Sequence, residues 1–397
     1  MSEEFEKIKM ITKTEEKMAE AWKVTYGSEY DRKGQFYKKV MKIIEKSESE
    51  GIEYGTPEYF EWVGGMTQDE YLRHFKNNKL TVWDYPAKVF EGSLCIGTGW
   101  DIELTEEQIE NGEKLVINNL EEITGGLRIE CPSVHSLGSI KKVGSFAVLF
   151  TNKGNLKELP DDFVCKEHFY LAGGHFPSHD FSKKGHKCVE EDMITSGITE
   201  IKSSWKIGGE ITISNNSAIT KLPEEDFTVN GHFRMINTPN VKRLPKNLVI
   251  KGNAEITNCE SLEYVDGIKT KSFLEMFTCN NLTKIIGKLH IGGRLHIGLN
   301  NLVSLPDGII AKNSFNISYC HKLKNIPNNF TCGKHFNIQH SNIETIGENL
   351  IVKGEVYLTA APIKSVGEGF ECGHKVIFKG GDLSVFGNLL EGKNVWK

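Results

Sequence analysis

The chain lacks any apolar run long enough to cross a bilayer, which takes roughly 18 residues, so no transmembrane helix is expected. Its opening, MSEEFEKIKMITKTEEK, is charged and has no apolar h-region, so a secretory signal is not expected. Paired cysteines are missing too. The nine cysteines are an odd number, are scattered singly and form no C-x-x-C. Together these features read as reduced thiols in a cytoplasm. Charge of one sign is also missing. A net charge of −5, from 48 basic and 53 acidic residues, argues against a general nucleic-acid binder. No GxxxxGK[ST], GxSxG or HExxH occurs. Gly97-Thr-Gly99 is a lone G-x-G without a third glycine. No catalytic residue and no cofactor is therefore assigned. Proline is scarce, at 11 residues, whereas glycine reaches 39. That balance predicts many tight turns at special backbone angles, not a flexible linker.

Residues 1–93 read as a mainly helical N-terminal cap domain. From Asp31 to Ser49, Phe36, Val40, Ile43 and Ile44 share one face of a 3.6-residue period. Thr67 to Glu70 has the form of a capping box, opening a helix through Tyr71, Leu72 and Phe75. Tyr59, Phe60, Trp62, Trp83 and Tyr85 supply either a small core or an aromatic ligand pocket.

From residue 94 onward the texture changes and a repeat emerges. Gly293 to Pro306, Asn313 to Pro327 (NSFNISYCHKLKNIP) and Lys334 to Ile346 share one pattern. It reads φ-x-φ-x-x-[N/C/S/T], then an apolar residue, then x-x-φ, often followed by proline. The units open at Leu127, Phe146, Phe169, Ile211, Phe233, Ala254, Leu274, Leu295, Phe315, Phe336, Val356 and Val376. A weaker unit opens at Glu191, with Met193, Ile198 and Ile201 in register. The period is about 21 residues.

This pattern resembles the leucine-rich repeat, LxLxxN/CxLxxLP, over residues 94–397. Asn216, Thr238, Cys259, Cys279, Asn300, Cys320 and Ser341 occupy the family's Asn/Cys position. A small polar side chain there satisfies backbone groups of the adjacent turn and builds a ladder through the stack. The return segments depart from the family, because they also alternate and end at glycine: Phe227 to Val229, Leu248 to Gly252, Phe330 to Gly333, Leu350 to Gly354 and Phe370 to Gly373. That predicts a second short strand in every coil. The variant, LPxxLxVxGxLxLxxTxI, is similar to short repeats of bacterial and bacteriophage proteins. With the helical reading of residues 1–93, this gives the expectation of an α+β chain: a small helical region, then a leucine-rich-repeat-like β-solenoid of about 13 coils with two parallel sheets. At one strand spacing per coil it would run roughly 60 Å. Leu389 to Lys397 is the expected C-terminal cap, with Trp396 folded over the last coil.

Two features bear on function. His168, His175, His179, His186 and Cys188 crowd into one irregular repeat. His175-x3-His179 is compatible with zinc spacing. The surrounding GGHFPSHDFSKKGHK reads as a solvated loop, so these residues are weak metal candidates and no metal is assigned. The second feature is the outward face of the φ-x-φ strands. Arg234, Glu255, Phe273, Glu275, Phe277, Arg294, His296, Asn316, Tyr319, His335, Asn337, Gln339, His340, Tyr357 and Lys375 fall there. Aromatics, arginine and histidine in this number are typical of contact sites, whereas a merely solvated sheet favours lysine, glutamate, threonine and serine. The expectation is a non-enzymatic interaction protein that holds a protein partner on this face. Self-association or packing against residues 1–93 is the bland alternative. Two other readings stay open: an enzyme or toxin with activity in the N-terminal region, and a structural component of a phage particle or adhesin.

Overall fold

Alternation in the repeat produces strands that stack coil upon coil. The computed structural model describes residues 82–84, 87–97, 115–130, 134–150, 156–172, 197–299, 301–317, 320–380, 382–392 and 394–396. They belong to a compact unit running from Leu72 to Lys397. The φ-x-φ segments form a parallel front sheet of fourteen strands, from Leu94–Gly97 to Asn394–Trp396. Equivalent residues pair in step: Ile211 with Phe233, Phe233 with Ala254, Ala254 with Leu274, and Leu274 with Leu295. Like positions therefore stack over like positions, and the core is a set of columns.

The return strands lie where the second alternation places them, at Thr228–Val229, Leu248–Ile250, Thr331–Cys332, Ile351–Val352 and Glu371–Cys372. These five belong to a return sheet of eight strands, and the earlier return strands, Val89–Phe90 to Lys206–Ile207, form another of five. Two three-stranded sheets complete the set. One contains Val82–Asp84, Leu115–Asn118 and Val134–Ser136, the other Asn325–Ile326, Thr345–Ile346 and Ser365–Val366. Between front and return strands the core is apolar and aromatic. Phe315, Phe330 and Phe336 are fully buried, with ring centroids 4.8 to 5.5 Å apart.

The corners explain much of the composition. Leaving the front strand, Asn215, Asn237 and Asn258 take positive φ of 48, 51 and 55°. Asparagine tolerates this left-handed turn better than other side-chain-bearing residues. Their amides then form a ladder, Asn237 Nδ2 to Asn215 Oδ1 at 2.6 Å and Asn258 Nδ2 to Asn237 Oδ1 at 2.8 Å. Where return strands end, glycine is required for a different reason. A Cβ on Gly333 would sit 1.9 Å from the Lys312 carbonyl oxygen, and one on Gly373 2.0 Å from that of Lys353.

The polar ladder runs beside these corners. Asn216 Oδ1 accepts from Ala218 N and Ile219 N, each at 3.0 Å. Thr238 Oγ1 and Cys259 Sγ lie 3.1 Å apart, and Cys279 Sγ donates to Phe277 O at 3.4 Å. The hydrogen bond that the Cys279 thiol donates to Cys259, together with burial, holds the Cys279 thiol well above its ordinary pKa. Thiols also close three of the return strands. Cys165, Cys332 and Cys372 each donate to the carbonyl three residues ahead, at 3.2, 3.2 and 3.4 Å.

Several expectations are corrected. The described residues are not α+β but all-β apart from one 3-10 segment, Leu383–Leu390. The helical region does not extend to residue 93, because Val82–Asp84 and Val89–Phe90 are strands paired into the solenoid's sheets. The helices expected at Asp31 to Ser49 and Thr67 to Phe75 lie outside the described residues. Five sheets replace the expected two, because the return strands divide between two sheets and a third side adds two three-stranded ones. The unit assigned to Phe146 opens at Ala147, which pairs with Leu127. Phe-Ala-Val-Leu-Phe is apolar throughout, so alternation could not fix its register. Phe169 pairs directly with Ile211, so among the described residues no front strand lies between them. Of the weak unit, Ile198 and Ile201 are buried, whereas Glu191 and Met193 lie outside the described residues. At the C-terminal end Phe386, not Trp396, fills the last coil, its ring 5.6 Å from Phe370 and 5.9 Å from Phe378. Trp396 is 57% exposed.

Candidate binding face

The front sheet presents three outward rows because alternate residues leave its surface. The central row includes Arg234, Glu255, Glu275, His296, Asn316, Asn337 and Tyr357, each in register with the next. Phe273, Arg294 and His335 stand one residue before their inward-pointing neighbours, and Phe277 two residues after Glu275.

The predicted residues form two clusters and one ion-pair chain. In the first cluster the Arg294 guanidinium lies over the Phe273 ring at 5.9 Å and pairs with Glu275. The Phe277 and His296 rings meet edge to face at 4.6 Å. Burial holds the His296 pKa below its ordinary value, and the Glu275 charge opposes that shift. In the second cluster Glu355 is the hub. It pairs with Lys375 at 3.1 Å and with His335 Nδ1 at 3.3 Å, and the Tyr357 hydroxyl donates to it. These partners hold the Glu355 carboxyl below its usual range, and the hydrogen bond to Glu355 raises Tyr357. Trp396 covers the Lys375 ammonium at 4.6 Å. Arg234 bridges Glu210 at 3.4 Å and Glu255 at 3.7 Å. The charged groups are thus largely matched among themselves, and each exposed pair contributes only about 0.2–1 kcal/mol. The unmatched character of the face lies in its rings.

The remaining predicted residues are more scattered. Asn316 sits between His296 and Asn337 and bridges the two clusters. Asn337 Oδ1 accepts from Gln339 N at 3.0 Å. His340 occupies an exposed left-handed corner, φ 54°, off the strand. Tyr319 lies outside the described residues, as do His175, His179, His186 and Cys188. Among the described residues no group of three or more His, Cys, Asp or Glu is placed to hold a metal. His168 serves the backbone: its Nδ1 accepts from Glu210 N at 3.2 Å.

The register correction reveals what alternation missed. Phe146 and Val148 point outward, half-buried, beside Arg128 and Tyr170 on neighbouring coils. The face is not open along its whole length. Thr212 is central in its strand yet only 4% exposed, and its hydroxyl donates to Glu210 Oε1 at 2.8 Å.

Comparison with protein-family models, with curated proteins and with solved structures finds no match for this chain. Its function is therefore read from the site alone.

Proposed function

We propose that this is a non-enzymatic interaction protein that binds a protein partner through the front sheet. One observation carries the reading. Phe273, Phe277, Arg294 and His296 form a contiguous patch of rings and guanidinium on two adjacent coils, with Phe277 and His296 in paired strands and Phe273 and Arg294 immediately before them. Half-exposed aromatics and arginine on a rigid support are the residue types that dominate binding hot spots. The repeat's likeness to leucine-rich repeats, and to the short repeats of bacteria and bacteriophages, supports a phage- or bacteria-encoded protein, and the scattered single cysteines support a reducing cytoplasm.

The test is comparative capture. Wild-type chain, a front variant (Phe277→Ala with Arg294→Ala) and a return-side variant (Lys251→Ala with Lys353→Ala) are immobilised and exposed to the same bacterial lysate. A protein retained by the wild type and the return-side variant, but lost from the front variant, supports the reading. Loss from the return-side variant alone overturns it.

A further inference from the structure

Among the described residues the return side is interrupted once. The five-stranded return sheet ends at Lys206–Ile207, and the eight-stranded sheet starts at Thr228–Val229. On the front the same two coils stay paired, Ile211 with Phe233. Just before the break, Lys206 N donates to Phe163 O and Gly208 N to Cys165 O. Just after it, Val249 N donates to Phe227 O and Lys251 N to Val229 O. The equivalent donors between are Thr228 N and Asn230 N, and among the described residues neither bonds Trp205 O or Ile207 O. The Asn230 side chain reaches across instead, Nδ2 to Ile207 O at 3.4 Å.

Three further departures coincide at this gap. Phe227 is half-buried, whereas its equivalents in the coils on either side, Trp205 and Leu248, are buried. Trp205 is 4% exposed, and its Nε1 is the one buried side-chain donor without a partner among the described residues. Such orphans are rare in native structures and mark unfinished packing or a functional place. Finally, an open groove of about 350 Å³ lies here, walled by Trp205 and Phe227 and rimmed by Lys166, Lys206, Thr228 and Asn230. No carboxylate lines it, and neither lysine has an ion pair among the described residues. The groove thus offers an apolar floor, two ammonium groups and a strand edge with spare N–H donors, and its unmatched charge is positive.

We infer that this groove binds a small organic carboxylate with a compact apolar body. The body rests on Phe227 and the Trp205 wall, and the carboxylate is held by Lys166 and Lys206 with the Thr228–Asn230 edge. The volume stands at the small end of ligand pockets, about 300–1,000 Å³, which suits a body of one ring. The buried Trp205 Nε1, without a partner among the described residues, marks loosened packing at this wall. This site is on the opposite side from the proposed binding face and does not depend on it.

The test uses the full chain and saturation-transfer NMR with 3-phenylpropanoate, compared with 3-phenylpropanol, 3-phenylpropylamine and inorganic phosphate. The carboxylate should bind at least about tenfold more tightly than the alcohol or amine, the scale of a charge-assisted contact. Lys166→Gln with Lys206→Gln should remove that advantage while leaving the circular dichroism spectrum and melting temperature unchanged, since both side chains are exposed. The front-face change Arg294→Ala should leave binding unaltered. Equal binding of carboxylate and alcohol, absence of binding, or indifference to the double lysine change would each overturn the inference. Phosphate displacing the carboxylate at equal concentration would overturn the need for an apolar body.

Discussion

Phe315→Ala removes a ring from the most aromatic part of the core. Phe315 is fully buried, with the Phe330 ring at 4.8 Å and the Phe336 ring at 5.1 Å. Phe336 is the equivalent residue one coil on, so the lost ring is part of the contact between coils. Truncating a buried phenylalanine costs about 3–5 kcal/mol through lost transfer energy and the cavity left behind. Aromatic pairs add about 0.5–1.5 kcal/mol each beyond area, which places this site near the upper end. Because each coil of a solenoid contacts only its neighbours, the damage should be local before it is global. Urea denaturation should show a loss of about 5 kcal/mol. Hydrogen exchange should show lost protection first in His335–Asn337 and Thr331–Cys332, with Phe169–Ala172 least affected. Phe273→Ala, on the half-exposed outward row, should cost less than about 1 kcal/mol. A Phe315→Ala loss no larger than that of Phe273→Ala would refute the column packing.

Other outcomes follow from the same geometry. Ile297→Asp places an unpaired charge at a fully buried site and should unfold several neighbouring coils, seen as lost β signal in circular dichroism. Gly333→Ala drives a Cβ against the Lys312 carbonyl and should destabilise by about 1–3 kcal/mol in urea titrations, the range for overpacking. In native protein the buried thiols of Cys165, Cys279, Cys320 and Cys332 should resist a thiol reagent, since burial raises Cys165 (to about 11), Cys320 and Cys332, and the hydrogen bond to Cys259, with burial second, raises Cys279; after denaturation all nine cysteines should react. Glu344 lies between Lys324 at 2.8 Å and Lys364 at 2.5 Å, and their hydrogen bonds lower its pKa from 4.5 to about 2. A lowered folded pKa gives stability that is present above pH 4.5 and lost as pH falls towards 2. The stability difference between wild type and Glu344→Gln should therefore vanish across that window, and should shrink in high salt because the pairs are exposed.

The repeat was legible because its signal is periodic. Columns such as Ile211, Phe233, Ala254 and Leu274 are spaced in sequence as the coils are spaced in space, and the return strands announced themselves by alternation ended at glycine. Register failed at Phe146, where five successive apolar residues erase the alternation. The helical assignment failed at residues 82–93 because aromatic strands such as Val82–Asp84 carry no period long enough to be read. The third side of the coil was hidden in two-residue strands such as Thr345–Ile346, too short to alternate. At the candidate face, sequence placed Phe273, Phe277, Arg294 and His296 together because neighbouring coils share one register. It could not foresee that Glu210 and Glu275 would draw Arg234 and Arg294 into ion pairs, which depends on side-chain reach between strands. The break in the return sheet was invisible, since Trp205 and Phe227 fit the apolar pattern as well as their buried equivalents.

The most direct test of the front sheet as the binding face is site-specific photocrosslinking in a lysate that contains the partner. A photoreactive residue is placed at Phe277 or His296 on the front, and at Lys251 or Lys353 on the return side. The account predicts one discrete heavier species from the front positions, identified by mass spectrometry as the same protein in each case and abolished by Arg294→Ala. It predicts none from the return positions. Crosslinks to that protein from Lys251 or Lys353, with silent front positions, would contradict it.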